Sequence, residues 1–155
     1  MFLYLIVAVS SLSIMGFYAY FKSRNALISR AIEQLNTVKS IKKAQVENYF
    51  SYIEARQGQA DMNVINEILL DTNQTKGLGK TGEVYIVGND YQIKSKSRFR
   101  NYASGPVRVE TRSVQMALKT GDGHAVIPDY RNGLCLSSFD KLNIEGLKWV
   151  IVAEM

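Results

Sequence analysis

The sequence predicts an α+β fold in which one long helix packs on an antiparallel sheet of five strands. Two patterns along the chain of 155 residues indicate this class. Between Lys22 and Arg56 there is no Pro or Gly, and apolar residues recur at three- and four-residue steps, the period of an amphipathic helix. From Glu83 onward, short runs rich in β-branched and aromatic residues alternate with turn signals, and strands joined by short turns pair antiparallel.

An uncharged segment precedes the long helix. Residues 1–21 carry no charged side chain, and at about 1.5 Å per residue a helix of this length reaches across the roughly 30 Å of a bilayer's hydrocarbon core. We therefore predict a transmembrane helix over 1–21, nearly continuous with a signalling and dimerisation helix over 22–56. A cleaved signal peptide is the alternative, but no basic residue precedes the apolar run, which is also longer than a usual signal-peptide core.

Residues 57–155 are predicted to form one module that contains the whole sheet. Asn132-Gly133, between two apolar runs, is a strong hairpin signal, and Asn89-Asp90 is a second turn signal. Trp149 lies among β-branched neighbours and is expected to be mostly buried. The expected strands are 83–88, 91–97, 124–130, 134–140 and 147–153, and the expected shorter helices are 64–70 and 111–119.

Composition argues against several function classes. Cys135 is the only cysteine and His124 the only histidine, which leaves no internal disulfide and too few ligands for a Cys/His zinc site. The GLGKTG run at 77–82 matches a dinucleotide pattern, but a strand follows it instead of preceding it, so we expect no nucleotide cofactor. No nucleophile elbow or carboxylate pair stands out, and we expect no enzyme, no catalytic residues and no metal. The net charge of +5 lacks a basic face with interleaved aromatic residues, which argues against nucleic acid.

Beyond Ser40 the chain resembles Cache domains, the extracytoplasmic PAS-like sensors of bacterial chemoreceptors, sensor histidine kinases and receptor cyclases. The resemblance is carried by the helix KKAQVENYFSYIEARQG, the stretch GLGKTGEVYIVGNDYQIKSKSRF, the helix TRSVQMALKTG and the closing segment from Asp129 to Met155. It implies a PAS-like sheet and a sensor in chemotaxis or two-component signalling, anchored in the inner membrane with its domain on the periplasmic or extracellular side. The short stretch 57–76 leaves no room for a membrane-distal module, so the chain resembles a single-module sensor.

The resemblance also implies a small-molecule site between the sheet and its overhanging loop and helix. Ligand binding would then pass through membrane helices to a cytoplasmic output domain outside this chain. Arg98 suits an anionic ligand, because a guanidinium group can bind a carboxylate bidentately. Each candidate has an ordinary alternative, such as core packing for Tyr85 or an ion pair with Asp129 for Arg98. The candidate ligand-binding residues are Tyr85, Ser95, Ser97, Arg98, Tyr102, Tyr130 and Ser138.

An apolar row on the long helix predicts a homodimer. The row consists of Ala31, Leu35, Val38 and Val46, and exposed apolar rows of this kind usually find a partner. Burial of the row against the chain's own sheet is the alternative. A second hypothesis for function follows from the missing distal module: the chain binds no ligand and serves as a structural and dimerisation module of a receptor.

Overall fold

The computed structural model describes residues 2–71, 78–99 and 107–155. The strands form one antiparallel sheet in the order β1-β4-β3-β2. The α+β class and the long N-terminal helix are therefore confirmed. The helices are α1 (Phe2–Ala55), α2 (Met62–Leu70) and α3 (Arg112–Thr120), and the strands are β1 (Glu83–Gly88), β2 (Gly123–Pro128), β3 (Leu134–Lys141) and β4 (Trp149–Glu154).

The chain divides into two compact units, residues 1–31 and 32–155. In the first unit α1 exposes large apolar side chains, among them Leu12 and Phe17. The transmembrane helix predicted over 1–21 is not found: within the described residues, no helix is long and apolar enough to cross a bilayer.

In the second unit, α1 packs on one face of the sheet. Leu35, Val38 and Val46 are at most 5% exposed and share a core with Ile86 of β1 and Ile151 of β4. The prediction that this apolar row forms a dimer interface is wrong for these three residues, because the chain's own sheet covers them. The remaining member of the row, in the first unit, is half-buried. The homodimer itself stays a prediction.

Polar contacts also hold α1 against this face. Lys43 Nζ donates to Asp140 Oδ2 at 2.6 Å, and Ser138 Oγ donates to Asn36 Oδ1 at 2.6 Å. Both contacts join α1 to β3. The position of the helix on the sheet is therefore fixed by specific hydrogen bonds as well as by apolar burial.

The sheet has four strands instead of the predicted five. Segment 91–97 lies beside β1 but makes isolated bridges where a continuous ladder was expected. Tyr91 has a φ of 60°, in the left-handed region, and Asp90 Oδ1 accepts a hydrogen bond from the Gln92 N–H at 3.0 Å. Asp side chains favour such local turns over regular pairing. The turn therefore takes the chain out of strand geometry just where the fifth strand was expected to begin.

The second face of the sheet packs on α3. Its core includes Tyr85, Phe139 and Val152 from the strands together with Val114 and Ala117 from the helix, all fully buried. The sheet therefore lies between two separate cores. Strands β1 and β4 contribute to both, because successive side chains in a strand point to opposite faces.

The predicted turn at Asn132-Gly133 is confirmed. Asn132 has a φ of 64°, and the N–H of Asp129 donates to the carbonyl of Gly133 at 2.8 Å. Trp149, expected to be mostly buried, is half-buried at the start of β4, where its ring meets the Phe50 ring edge-on at 5.8 Å between centroids. The start of the strand leaves part of the indole uncovered.

Candidate ligand-binding site

A row of polar side chains crosses the sheet face that lies against α3. Glu83 of β1 is the register partner of Glu154 of β4, and Glu154 is also the register partner of Ser137 of β3. Register partners in antiparallel strands point to the same side of the sheet and lie next to each other. Glu83 and Glu154 are only 2% and 1% exposed. These two residues, called the carboxylate pair below, place two acidic groups side by side in the interior.

Hydroxyl groups satisfy Glu83. Tyr130 Oη donates to its Oε1 at 2.6 Å, and Ser97 Oγ donates to its Oε2 at 2.6 Å. The backbone N–H of Arg98 donates to the same Oε2 at 3.1 Å. Burial, with the nearby Glu83 carboxylate, raises the pKa of Tyr130. Both oxygens of Glu83 are thus hydrogen-bonded by neutral donors, which leaves the negative charge itself unpaired.

Glu154 is poorly satisfied by comparison. Ser137 Oγ donates to its Oε1 at a long 3.3 Å, and its Oε2 has no hydrogen-bond partner. Burial raises the pKa of Glu154 to about 7, a rise that the Tyr85 hydroxyl moderates and the carboxylates of Asp129 and Glu83 reinforce. A buried carboxylate of this kind is stable only when a proton or a cation neutralises it.

Tyr85 follows Glu83 by two residues in β1 and belongs to the core on the α3 side of the sheet. It is fully buried, and its hydroxyl has no partner in hydrogen-bond geometry. Burial, with the nearby Glu154 and Glu83 carboxylates, raises the pKa of Tyr85 well above its usual value. Its ring meets the Tyr130 ring edge to face, with 5.5 Å between centroids. Two aromatic rings therefore stand beside the carboxylate pair.

The N-terminal end of α3 adds further hydroxyl groups. Ser113 is fully buried, and its Oγ lies 3.0 Å from Ser137 Oγ. Thr111, the N-cap residue of α3, forms no side-chain cap hydrogen bond, and its buried Oγ1 has no partner. Capping residues normally bond to the first turn of their helix. The hydroxyl of Thr111 therefore remains available for another partner.

The nearby cations are engaged with other groups. Arg98 Nη1 donates to backbone carbonyls of Gly79 and Gly82 at 3.0 and 2.9 Å. Arg131 pairs with the buried Asp129 at 2.7 Å. Within the described ranges, no lysine or arginine forms an ion pair with either member of the carboxylate pair. The site is therefore acidic and rich in hydroxyl groups.

A cavity of about 310 Å³ adjoins β1, the edge strand of the sheet. Its walls include Glu83, Ser97 and Arg98 together with the apolar Leu69 and Val84. Ligand pockets for small molecules begin at roughly 300 Å³. The cavity is therefore large enough for a small ligand and borders one member of the carboxylate pair.

The structure brings some of the predicted site residues together and separates others. Ser95 Oγ accepts the Ile86 N–H at 2.9 Å and holds the segment after β1 against that strand. Ser138 bonds to Asn36 on the opposite face of the sheet, because it follows Ser137 in a strand whose side chains alternate. Tyr102 lies outside the described residues. The predicted residues that gather around Glu83 are Tyr85, Ser97 and Tyr130, with Arg98 contributing its backbone N–H.

Sequence reasoning missed both members of the carboxylate pair. They lie at opposite ends of the sheet-forming part of the chain, and only the pairing of β1 with β4 makes them neighbours. One signal was present in the sequence. Glu83 begins the apolar run EVYIVG, and Glu154 ends the apolar run WVIVAE, and a carboxylate in such a run is out of pattern.

No protein-family model matches the chain, and no curated protein matches it. Among solved structures, the chain is similar to the ligand-binding domain of the Campylobacter jejuni chemoreceptor Tlp3 in complex with L-valine. The identity is 12% and the TM-score 0.43, and the match covers 85% of this chain and 60% of that one. The sensory domain of the same receptor with isoleucine bound gives 12% identity, a TM-score of 0.41 and the same coverage of 85% and 60%.

The ligand-binding domain of the Pseudomonas aeruginosa PAO1 amino acid chemoreceptor PctB, in complex with L-Arg, is also similar. Its identity is 16% and its TM-score 0.37, with 63% of this chain and 36% of that chain covered. The chain thus spans less than two thirds of the length of each of these structures. These solved structures are ligand-binding or sensory domains of chemoreceptors.

Proposed function

We propose that this chain is the extracytoplasmic sensing module of a bacterial membrane receptor and that it binds a small molecule instead of catalysing a reaction. The observation that carries the proposal is a pair of buried polar atoms without partners, Tyr85 Oη and Glu154 Oε2, on the sheet face against α3. An unsatisfied buried polar group costs about 1–3 kcal/mol. A ligand that supplies the missing partners recovers this free energy on binding.

The position of these atoms also suits the transmission of a signal. Glu154 faces the site, while the preceding Ala153 packs in the core that contains α1. A change in the spacing of β1 and β4 on ligand binding therefore reaches α1 through adjacent residues of one strand. A ligand shifts such an equilibrium only by its differential affinity for the two arrangements. In the proposed receptor, this shift passes to a cytoplasmic output domain in a chemotaxis or two-component system.

The alternative is a module that binds no ligand and serves dimerisation. It needs an exposed apolar surface, and most of the apolar row expected to provide one lies in the chain's own core. Leu27 and Ile41 of α1 are exposed and remain candidates for contact with a second copy. Dimerisation through such residues is compatible with sensing. Only a measurement of ligand binding therefore distinguishes the sensing module from the structural module.

Thermal unfolding of the full chain with a panel of small molecules tests the sensing proposal. A ligand at about 100 times its Kd should raise the free energy of unfolding by about 2.7 kcal/mol. Tyr130→Phe removes a hydroxyl that bonds Glu83 and should reduce the ligand-induced shift. Ser138→Ala, on the opposite face, should retain it. If no class of molecule stabilises the chain, the sensing proposal fails and the structural alternative stands.

The proposed location needs a separate measurement. A topology reporter fused after Met155 reports which side of the inner membrane this part of the chain occupies. We expect activity from a reporter that works outside the cytoplasm. Activity from a reporter that works only in the cytoplasm contradicts the extracytoplasmic assignment.

A further inference from the structure

We propose that Glu83 and Glu154 bind the protonated amino group of a small organic amine, with the rings of Tyr85 and Tyr130 beside it. This inference rests on the proposed sensing function and names the ligand class for the same site. It replaces the anionic ligand expected at Arg98, whose Nη1 donates to the backbone carbonyls of the 79–82 turn.

The first step is the placement of the two carboxylates. Glu83 and Glu154 are direct register partners across β1 and β4, and both are almost completely buried. Side chains in such a pair have Cβ atoms roughly 4.5–5.5 Å apart, and like charges placed there repel each other. The pair therefore needs a positive charge or a proton between or beside the two groups.

The second step is the set of charges around the pair. Arg131 is matched by Asp129, with which it forms an ion pair at 2.7 Å. Arg131 is also attracted to Glu83 at longer range, but no lysine or arginine among the described residues forms an ion pair with Glu83 or Glu154. Two buried carboxylates therefore share at most one distant cation, and the surroundings favour a positively charged ligand. The titratable groups that face Glu154 are Glu83 and Tyr85 from β1, Asp129 from the β2–β3 turn and Cys135 from β3. Tyr130 and Arg131, from the same turn, interact with Glu83.

The third step is the match between the unpartnered atoms and an ammonium group. An ammonium group has three N–H donors and no acceptor. Glu154 Oε2 is a buried acceptor without a partner, Tyr85 Oη is an unpartnered hydroxyl that can accept as well as donate, and the Glu83 carboxylate is the register neighbour of Glu154. Cations also favour aromatic faces within about 6 Å, and Tyr85 and Tyr130 supply two rings. The cavity beside Glu83, with the apolar walls Leu69 and Val84, has room for the carbon skeleton of the amine.

A metal ion fits these groups less well than an ammonium group. Among the described residues, no three His, Cys, Asp or Glu side chains gather as a metal-binding group. Hard cations such as Ca²⁺ take about six to eight oxygen ligands, largely from carboxylates, carbonyls and water. Two carboxylates beside buried aromatic rings suit an organic cation better.

Calorimetric titration of the full chain with three probes of one carbon skeleton tests the inference. The probes are 3-methylbutylamine, 3-methylbutan-1-ol and 3-methylbutanoate, which differ only in the polar group. We expect the amine to bind about tenfold or more tightly than the alcohol or the acid, because charge-assisted hydrogen bonds are about twice as strong as neutral ones. Glu154→Gln should weaken amine binding by a similar factor. Glu110→Gln, at an exposed glutamate, should leave it unchanged.

The pH dependence of binding gives a second readout. The amine stays protonated between about pH 6 and pH 8, whereas Glu154, with a pKa of about 7, loses its proton over this range. Because the ammonium group binds the anionic carboxylate, its affinity should rise about tenfold across the range. This rise should disappear in Glu154→Gln. If that variant does not fold, Tyr85→Phe should weaken amine binding in its place, because it removes a buried hydroxyl beside Glu154 that lowers the pKa of this carboxyl group.

The outcomes separate the ligand class from the sensing function. Binding of 3-methylbutanoate without binding of the amine overturns the amine inference and leaves the sensing proposal standing. Stabilisation by Mg²⁺ or Ca²⁺ alone, lost in Glu154→Gln, overturns it in favour of a metal. If none of the three probes binds but the wider panel yields another ligand, only the amine inference fails. If the panel also yields none, both proposals fail.

Discussion

Glu154 shows how burial and its neighbours set the protonation of a single carboxyl group. Burial raises its pKa from the usual 4.5 to about 7. At neutral pH, about half of the folded molecules therefore carry a proton at this position, since the pKa equals the pH. In the unfolded chain the same group ionises near its usual pKa. Between these two pKa values, the folded state holds a proton that the unfolded chain has released.

The stability of the fold should therefore decrease as the pH rises from about 4.5 to about 7, because the unfolded state binds fewer protons there. The total loss is about 3 kcal/mol for this pKa difference. Glu154→Gln cannot ionise, so near pH 8 it should exceed the parent in free energy of unfolding by up to about 3 kcal/mol, with little gain near pH 4. Urea unfolding at both pH values measures this. The exposed Glu110→Gln is the control, and an equal gain at both pH values contradicts the assignment to Glu154.

Single residues of the site were predictable only in part. Tyr85, Ser97 and Tyr130 are polar residues in or next to strands, and the resemblance placed them near a ligand. Ser138 was assigned to the same site, but a shift of one position along a strand moves a side chain to the other face. The register of β3, which decides between Ser137 and Ser138, depends on pairing with β4.

The same limit applies to whole elements. The helical period of α1 correctly identified its apolar face, including Leu35 and Val46, but a period does not specify which surface covers that face. In this fold the sheet of the same chain covers that face. For segment 91–97 the composition indicated a strand, and a local turn at Asp90 and Tyr91 prevailed over it. Strand propensity is weak beside such local hydrogen bonding.

Two matched substitutions in α1 test what covers the apolar row. Leu35 is fully buried in the chain's core, whereas Leu27, in the same helix, is 63% exposed. Leu35→Ala should lower the free energy of unfolding by about 2–5 kcal/mol through lost burial and a cavity. Leu27→Ala should change it by less than about 0.5 kcal/mol. Denaturant unfolding at several protein concentrations measures both. A loss for Leu35→Ala that depends on concentration contradicts burial within one chain and supports a dimer interface.

For the second unit as a whole, the sheet lies between two cores that share β1 and β4. The α+β class and the antiparallel pairing followed from helix period and short turns in the sequence. The strand order did not, because β1 and β4 come from distant parts of the chain and local turn signals carry no information about their pairing. This order places the carboxylate pair on one face of the strands whose other face packs on α1. The proposed site and the proposed signalling helix are therefore separated by a single layer of sheet.

Hydrogen–deuterium exchange of the full chain with 3-methylbutylamine tests whether this layer transmits binding. The amine should slow exchange in β1 and β4, whose carboxylates it bridges. It should also slow exchange over residues 35–46 of α1, because Ile151 and Ala153 on the other face of β4 share a core with this part of the helix. Slower exchange reports a higher free energy of local opening. Strand β2, at the far edge of the sheet, should change little and serves as an internal control. Protection in β1 and β4 with none in α1 shows that the amine binds without stabilising the helix, and it rules out this route for the signal.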